Sequence, residues 1–221
     1  MKKRLLLFFI TTLFFQFAIA QGGLNDFSFN TNDNVVGDAT GFNYNALTMA
    51  VQDDGKIIYG GVFTTYNGIP TRRIARLNQD GSLDTTFNIG SGFDITVSKI
   101  LLQSDGKILV SGSFQTYNAE TAPSIIRLNS DGSKDYTFNV GGGASLPIRS
   151  MALQPDGKII VVGDFITFNG QACNRMTRLN PDGSIDPTFI VGEGCNGTIE
   201  TVTLEAGGKI LIGGNFTVCK N

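Results

Sequence analysis

The sequence contains no histidine and no tryptophan. Without imidazole there is no Ser–His–Asp triad, no His-ligated metal and no side chain that ordinarily titrates near neutrality. Serine and threonine are plentiful, yet a hydroxyl nucleophile needs an activating base. The missing indole weakens a sugar-stacking platform without excluding one. Cysteine is scarce: Cys173, Cys195 and Cys219 fall in the last quarter, at spacings that suit neither a zinc knuckle nor a redox pair. Cys195–Cys219 is the preferred disulfide, against three isolated small apolar side chains. No basic run beyond Arg72–Arg73 follows the N-terminus, so the concentrated positive face that nucleic acid requires is lacking. Past residue 20 there is no long apolar stretch and no sustained 3.6-residue apolar period, so helices should be few.

What is present begins with a leader. Lys2, Lys3 and Arg4 precede an apolar run from Leu5 to Phe15, and "AIA" ends at Ala20 in a small-residue cleavage pattern. Residues 1–20 therefore read as a secretory signal, with an uncleaved anchor as the alternative. After cleavage no transmembrane domain is expected. Removing the three basic residues leaves 14 Lys and Arg against 19 acids, a formal charge of −5. The 28 glycines, with many Ile, Leu, Val and Phe, suggest short strands and tight turns.

The chain is a repeat. "DGKI" starts at Asp54, Asp105 and Asp156, each 51 residues after the last, and "GGKI" at Gly207 continues the series. Phe63, Phe114, Phe165 and Phe216 keep the same step, as do Gly61, Gly112, Gly163 and Gly214. "LNQDGSLDTTFNIG" from Leu77 returns as "LNSDGSKDYTFNVG" and "LNPDGSIDPTFIVG". Within one unit, "TVSKILLQ" (96–103) and "KILVSGSF" (107–114) read as strands joined by an Asp-Gly hairpin turn. "SIIRLN" (124–129) reads as a third strand after a longer connection, and "DYTFN" as a fourth, shorter one. Four strands repeating every 51 residues predict an all-β fold of propeller blades that share apolar interiors, with a β-solenoid as the rival.

Complete units span about 45–88, 96–139 and 147–190, and a partial unit spans 197–221, within one repeat domain at 21–221. "NDFSFN" in segment 24–30 resembles "LDTTFN" and reads as an orphan strand able to finish a last blade. About four blades are thus expected, in an irregular ring or as one arc of a longer propeller. Further blades would come from a longer chain or an oligomer.

The carboxylates are read as scaffold. Asp54–Gly55, Asp105–Gly106 and Asp156–Gly157 form one series of turns; Asp80–Gly81, Asp131–Gly132 and Asp182–Gly183 form another. The Asp80 series could open a calcium loop, but no later carboxylate completes it: the twelfth position from Asp80 is Ser91. Asp84, Asp135 and Asp186 are expected to bridge to Arg76, Arg127 and Arg178. Phe63, Phe114 and Phe165 are expected in the core. Tyr66, Tyr117 and Phe168, with Asn67, Asn118 and Asn169, are the candidate binding rim, wedge packing being the favoured role for the three aromatics. "GSG" and "GGG" lack the ending of a phosphate loop. Glu193, Glu200 and Glu205, outside the repeated words, are where a carboxylate-based carbohydrate hydrolase or lyase would hide its site.

"LQPDGKIIVVGDF" (153–165) and "RLNPDGSIDPTF" (178–189) resemble the delta-60 repeat, a β-propeller domain of unknown function in secreted and cell-surface bacterial proteins. The resemblance covers nearly all of residues 21–221. It implies arrays that are often longer and that stand beside adhesion or sorting modules, sometimes with a C-terminal domain for type IX secretion. It supplies no catalytic residues. The expectation is a non-catalytic extracellular or surface scaffold, without cofactor or metal, that binds protein or glycan and not nucleic acid.

Overall fold

A computed structural model describes residues 41–220. The N-terminal leader and the orphan segment 24–30 lie outside the described residues. Blade 1 holds β1 (Ala46–Val51), β2 (Ile57–Gly61), β3 (Thr65–Tyr66), β4 (Ile69–Pro70) and β5 (Ile74–Leu77). Blade 2 repeats it as β6 (Val97–Leu102), β7 (Ile108–Gly112), β8 (Thr116–Tyr117), β9 (Glu120–Thr121) and β10 (Ile125–Leu128). Blade 3 has β11 (Ile148–Leu153), β12 (Ile159–Gly163), β13 (Thr167–Phe168), β14 (Gln171–Ala172) and β15 (Met176–Leu179). Beyond it come β16 (Gly194–Cys195), β17 (Ile199–Leu204), β18 (Ile210–Gly214) and β19 (Cys219–Lys220). There is no helix among the described residues.

Each of the first three blades is a three-stranded antiparallel sheet, in the orders β1-β2-β5, β6-β7-β10 and β11-β12-β15. The fourth has β17 paired with β18 among the described residues. Asp-Gly closes the first hairpin as the sequence predicts. In blade 2, Gly106 takes φ +80°, a left-handed conformation that suits glycine, and its N–H bonds to the Gln103 carbonyl at 3.0 Å. At the far end of the same hairpin a β-bulge shifts the register between Val97 and Lys99. It brings the Thr96 carbonyl so close to Gly112 that a Cβ there would collide with it. That contact explains why a glycine returns at this place in every unit.

Two details depart from the sequence-based strands. The long connection contains its own two-residue hairpin, β8–β9, with Tyr117 paired to Glu120. The predicted fourth strand, 135–139, does not form, and only the residue before it makes a bridge, Lys134 to Leu128. The physical reason is a competing turn. Asp135 Oδ1 accepts bonds from the Thr137 N–H (2.9 Å) and hydroxyl (2.7 Å), which curls the backbone away from the sheet. Asn139 N–H then crosses to the Asp182 carbonyl of the following blade at 2.8 Å.

The core lies between blades. One cluster joins Ile58 and Ile74 of blade 1 to Val97, Ile100 and Val110 of blade 2. The next joins Leu109 and Ile125 to Ile148, Met151 and Val161. A third joins Ile160 and Val162 to Ile199 and Val202. Phe63, Phe114 and Phe165 are fully buried, as expected for core aromatics. No single sheet could bury both of its apolar faces, so stacking is what removes them from water.

Candidate functional site

The repeated carboxylates are consumed inside the fold. Asp135 Oδ2 accepts from Arg127 Nε at 2.6 Å and from Lys107 Nζ at 2.8 Å, with the carboxylate almost wholly buried. The guanidinium stacks over the Phe138 ring at 4.9 Å and donates through Nη1 to the Pro181 carbonyl of the next blade at 2.6 Å. Blade 1 builds the same clasp from Asp84, Arg76, Lys56 and Phe87, with Arg76 reaching the Ser130 carbonyl at 2.5 Å. Blade 3 uses Asp186, Arg178, Lys158 and Phe189. Burial raises the carboxyls of Asp84 and Asp135. Bonds from the lysine, the threonine and the arginine outweigh it and hold both well below the usual carboxylate range. The Arg–Asp bridges were legible in the sequence. The lysines were not singled out, although Lys56, Lys107 and Lys158 keep the 51-residue step and thereby carried the signal.

Asp80, Asp131 and Asp182 sit where turns were expected. Asp131 Oδ1 accepts from the Ser133 N–H (2.9 Å) and hydroxyl (2.7 Å), and these two bonds lower its pKa. The hydroxyl and the N–H of Ser133 are thereby committed to the turn. Asp54, Asp105 and Asp156 likewise accept from the N–H of the lysine two residues on, at 3.1 Å in each case. Gly55, Gly81, Gly132, Gly157 and Gly183 occupy the adjoining turn positions with positive φ, like Gly106. Among the described residues no group of three or more His, Cys, Asp or Glu is placed to hold a metal ion.

The candidate rim divides into two kinds of residue. Tyr66, Tyr117 and Phe168 are buried, the wedge packing favoured for them. The hydroxyls of Tyr66 and Tyr117 donate to the Gly81 and Gly132 carbonyls at 2.6 Å, fixing each small hairpin to the turn below it. Burial, and then the Asp131 charge, push the Tyr117 phenol well above its usual range. Asn67, Asn118 and Asn169 have φ near +48° and hold the hairpin tips. Asn67 Oδ1 accepts from the Gly41 N–H at 2.6 Å. Asn118 and Asn169 accept from Ser91 and Gly142 at 3.1 and 3.0 Å, and their Nδ2 donors have no protein partner among the described residues.

Those two asparagines line a groove that recurs. The first, about 380 Å³, lies where the tail of blade 1 at Asn88 meets Asn118, Glu120, Ser133 and Tyr136 of blade 2. The second, about 350 Å³, sits one blade on, between Asn139 and the set Asn169, Gln171, Ser184 and Ile185. In the first groove the Tyr136 hydroxyl, on a ring that is 71 % exposed, donates to Glu120 at 2.7 Å. Lys134 also reaches Glu120, at 3.2 Å. Bonds from Tyr136 and Lys134 lower the pKa of Glu120, while the same carboxylate raises that of Tyr136. The groove thus offers amide, carboxylate, ammonium and phenol side by side. Tyr136 and Glu120 were not picked out in the sequence, because neither residue type is repeated at its position in the other blades.

The non-repeated acids occupy separate places. Glu193 pairs with Lys220 at 2.8 Å. Glu200, on β17, lies 3.9 Å from Arg149 and accepts from Asn215 at 3.3 Å. Glu205 sits in the β17–β18 turn, where its carbonyl receives the Gly208 N–H. Cys195 and Cys219 form the preferred disulfide, across β16 and β19. Cys173 remains a thiol, pushed up to about 11 by burial.

Among solved structures, one similar chain is assigned by name as a gluconolactonase, with 18% identity and a TM-score of 0.47; 74% of this chain and 55% of that one are covered. Another is a catalytically inactive virginiamycin B lyase from Staphylococcus aureus with quinupristin, at 19% identity and TM-score 0.45, covering 81% and 50%. A third is the WD40 beta propeller domain of Doa1, at 14% identity and TM-score 0.39, covering 77% and 60%. The chain spans about half the length of the first two (55% and 50%). No curated protein matches the sequence. The family model described as "Domain of unknown function (DUF5122) beta-propeller" matches residues 52–87, 103–138 and 154–189, one segment in each of the first three blades. With the sheets stacked face to face at a 51-residue step and each match at the same place in its blade, these three segments belong to this β-propeller repeat family.

Proposed function

We propose that the protein is a non-catalytic β-propeller scaffold displayed outside a bacterial cell, holding an extended polar ligand, a glycan or a protein segment, along the grooves between its blades. The observation that carries this reading is the recurrence of the groove at the blade 1–2 and blade 2–3 junctions. A ligand with its own repeat can engage both, and the second contact then forms at a high effective concentration. The side chains suit hydroxyl-rich or amide-rich partners: Asn118 and Asn169 have unspent donors, and Tyr136 adds an aromatic face. An extracellular place is supported by the basic-then-apolar leader and by the Cys195–Cys219 bond, since disulfides persist in oxidising compartments.

The carboxylate-hydrolase alternative needs two acids facing one bond. The clasp aspartates are spent on Arg and Lys, and Glu193, Glu200 and Glu205 have separate surroundings, which favours the scaffold. Titration calorimetry against neutral and acidic oligosaccharides and polar peptides tests the reading, with reducing-end release followed in parallel. Binding is expected to weaken at least about tenfold in Tyr136→Ala and in Asn118→Ala, with no turnover. Sugar release, or binding indifferent to both substitutions, would reject it.

A further inference from the structure

Every blade presents two different apolar faces, and the same pair of faces meets three times inside the chain. The front face of blade 2, with Val97, Ile100 and Val110, packs on the back face of blade 1, with Ala50, Ile58 and Ile74. Blades 2–3 and 3–4 repeat this arrangement. Two faces remain. The front of blade 1 carries Met49 and Val51, 61% and 58% exposed, at the positions of Ile100 and Leu102. The back of blade 4 carries Leu211, 51% exposed, at the position of Ile58.

These two faces are complementary in detail. At the blade 1–2 junction the Ile100 N–H donates to the Thr48 hydroxyl at 3.2 Å. Beside it Gly60 leaves a gap into which Val97 and Ile100 project, so that a Cβ on Gly60 would collide with both. Blades 2 and 3 vary this pair, with Lys99 and Ser111, then Ser150 and Val162. Blade 4 restores it: Thr201 stands at the Thr48 position and Gly213 at the Gly60 position. Among the described residues a Cβ on Gly213 would meet only Thr201 of its own blade, so none of them fills the gap there. The matching knob on blade 1 is Met49. Methionine suits that role, because Met151, at the same position of blade 3, is 1% exposed against blade 2.

We infer that the front face of blade 1 docks on the back face of blade 4 of a second copy of this chain, head to tail, extending the blade stack across the interface. The contact continues an interface the chain already makes three times, with Met49 over Gly213 and the Met49 N–H directed to the Thr201 hydroxyl. It is heterologous, so copies close into a ring or extend as an open array according to the rotation per blade.

Light scattering and native mass spectrometry on the chain, purified as an expressing cell processes it, test the inference. The wild type is expected at twice its single-chain mass or more at tens of micromolar. Met49→Lys and Leu211→Lys, both at exposed positions, should each give the single-chain mass while keeping the wild-type circular dichroism. Mixing the two variants should restore a 1:1 pair and nothing larger, because one supplies an intact back face and the other an intact front. A wild type of single-chain mass at every concentration overturns the proposal; that result would leave further blades of the same polypeptide as the cover. Association that survives in Leu211→Lys alone also overturns it, since it would mean a front-to-front contact. So does a mixture that stays monomeric.

Discussion

Asp131 and Asp135 stand four residues apart in one turn of blade 2, and the chain uses them differently. Asp131 is exposed and binds its own neighbour Ser133. Asp135 is buried and gathers Lys107, Arg127 and Thr137, which come from three separate segments. Both residues recur at the 51-residue step, so recurrence alone does not rank them. Burial does. A local bond on the surface competes with water, whereas a buried carboxylate removed from its partners leaves two cations uncompensated.

The sharpest way to break this contrast is substitution. Asp135→Ala should lose about 3 kcal/mol in urea unfolding, because Arg127 and Lys107 keep their charges beside a vacated partner. A loss of only a few tenths would put the clasp on a par with the turn. Acid sharpens the contrast next. The folded pKa of Asp135 lies well below the ordinary 3.8, so as pH falls the unfolded chain takes up protons first. Its stabilisation is complete above about pH 5 and declines progressively as pH drops below that value. Thermal melts from pH 6 to pH 2 should therefore fall on the acid side, with a shallower fall in Asp135→Ala; parallel curves would contradict this.

Tyr117→Phe probes the carbonyl of Gly132, which lies in the same turn. It should cost about 1 kcal/mol by thermal unfolding, the net worth of one buried hydrogen bond. Phe168, at the equivalent place in blade 3, fills its wedge without a hydroxyl and limits the packing loss. The smallest effect belongs to Asp131→Ala, about 0.5 kcal/mol. The backbone carbonyl of Asp131, which receives the Asn88 N–H at 2.7 Å, is unaffected by the change. A larger loss would make the exposed aspartate more than a local turn former.

Much of this molecule was legible in its sequence. The three main strands of each of the first three blades, the Asp-Gly turns and the core Phe63, Phe114 and Phe165 follow from periodicity and turn chemistry, which are local. The fourth strand misled, because "DYTFN" has strand-forming residues while Asp135 and Thr137 bend it by a side-chain bond that residue propensity does not register. At the candidate rim Asn118 and Asn169 line grooves, while Tyr66, Tyr117 and Phe168 turn inward, the wedge packing favoured for them from the sequence.

The sequence by itself determined the repeat, the antiparallel hairpins and the all-β class, since a 51-residue period with Asp-Gly turns admits few other local structures. Only the tertiary structure decided which repeated acids are buried, which blades touch, and that Tyr136 and Glu120 share a groove with Asn88 of the preceding blade. The reason is distance along the chain. Turns and strand pairs close over a few residues, whereas clasps and grooves join segments about 30 to 50 residues apart, and their geometry exists only once one sheet has stacked on the next.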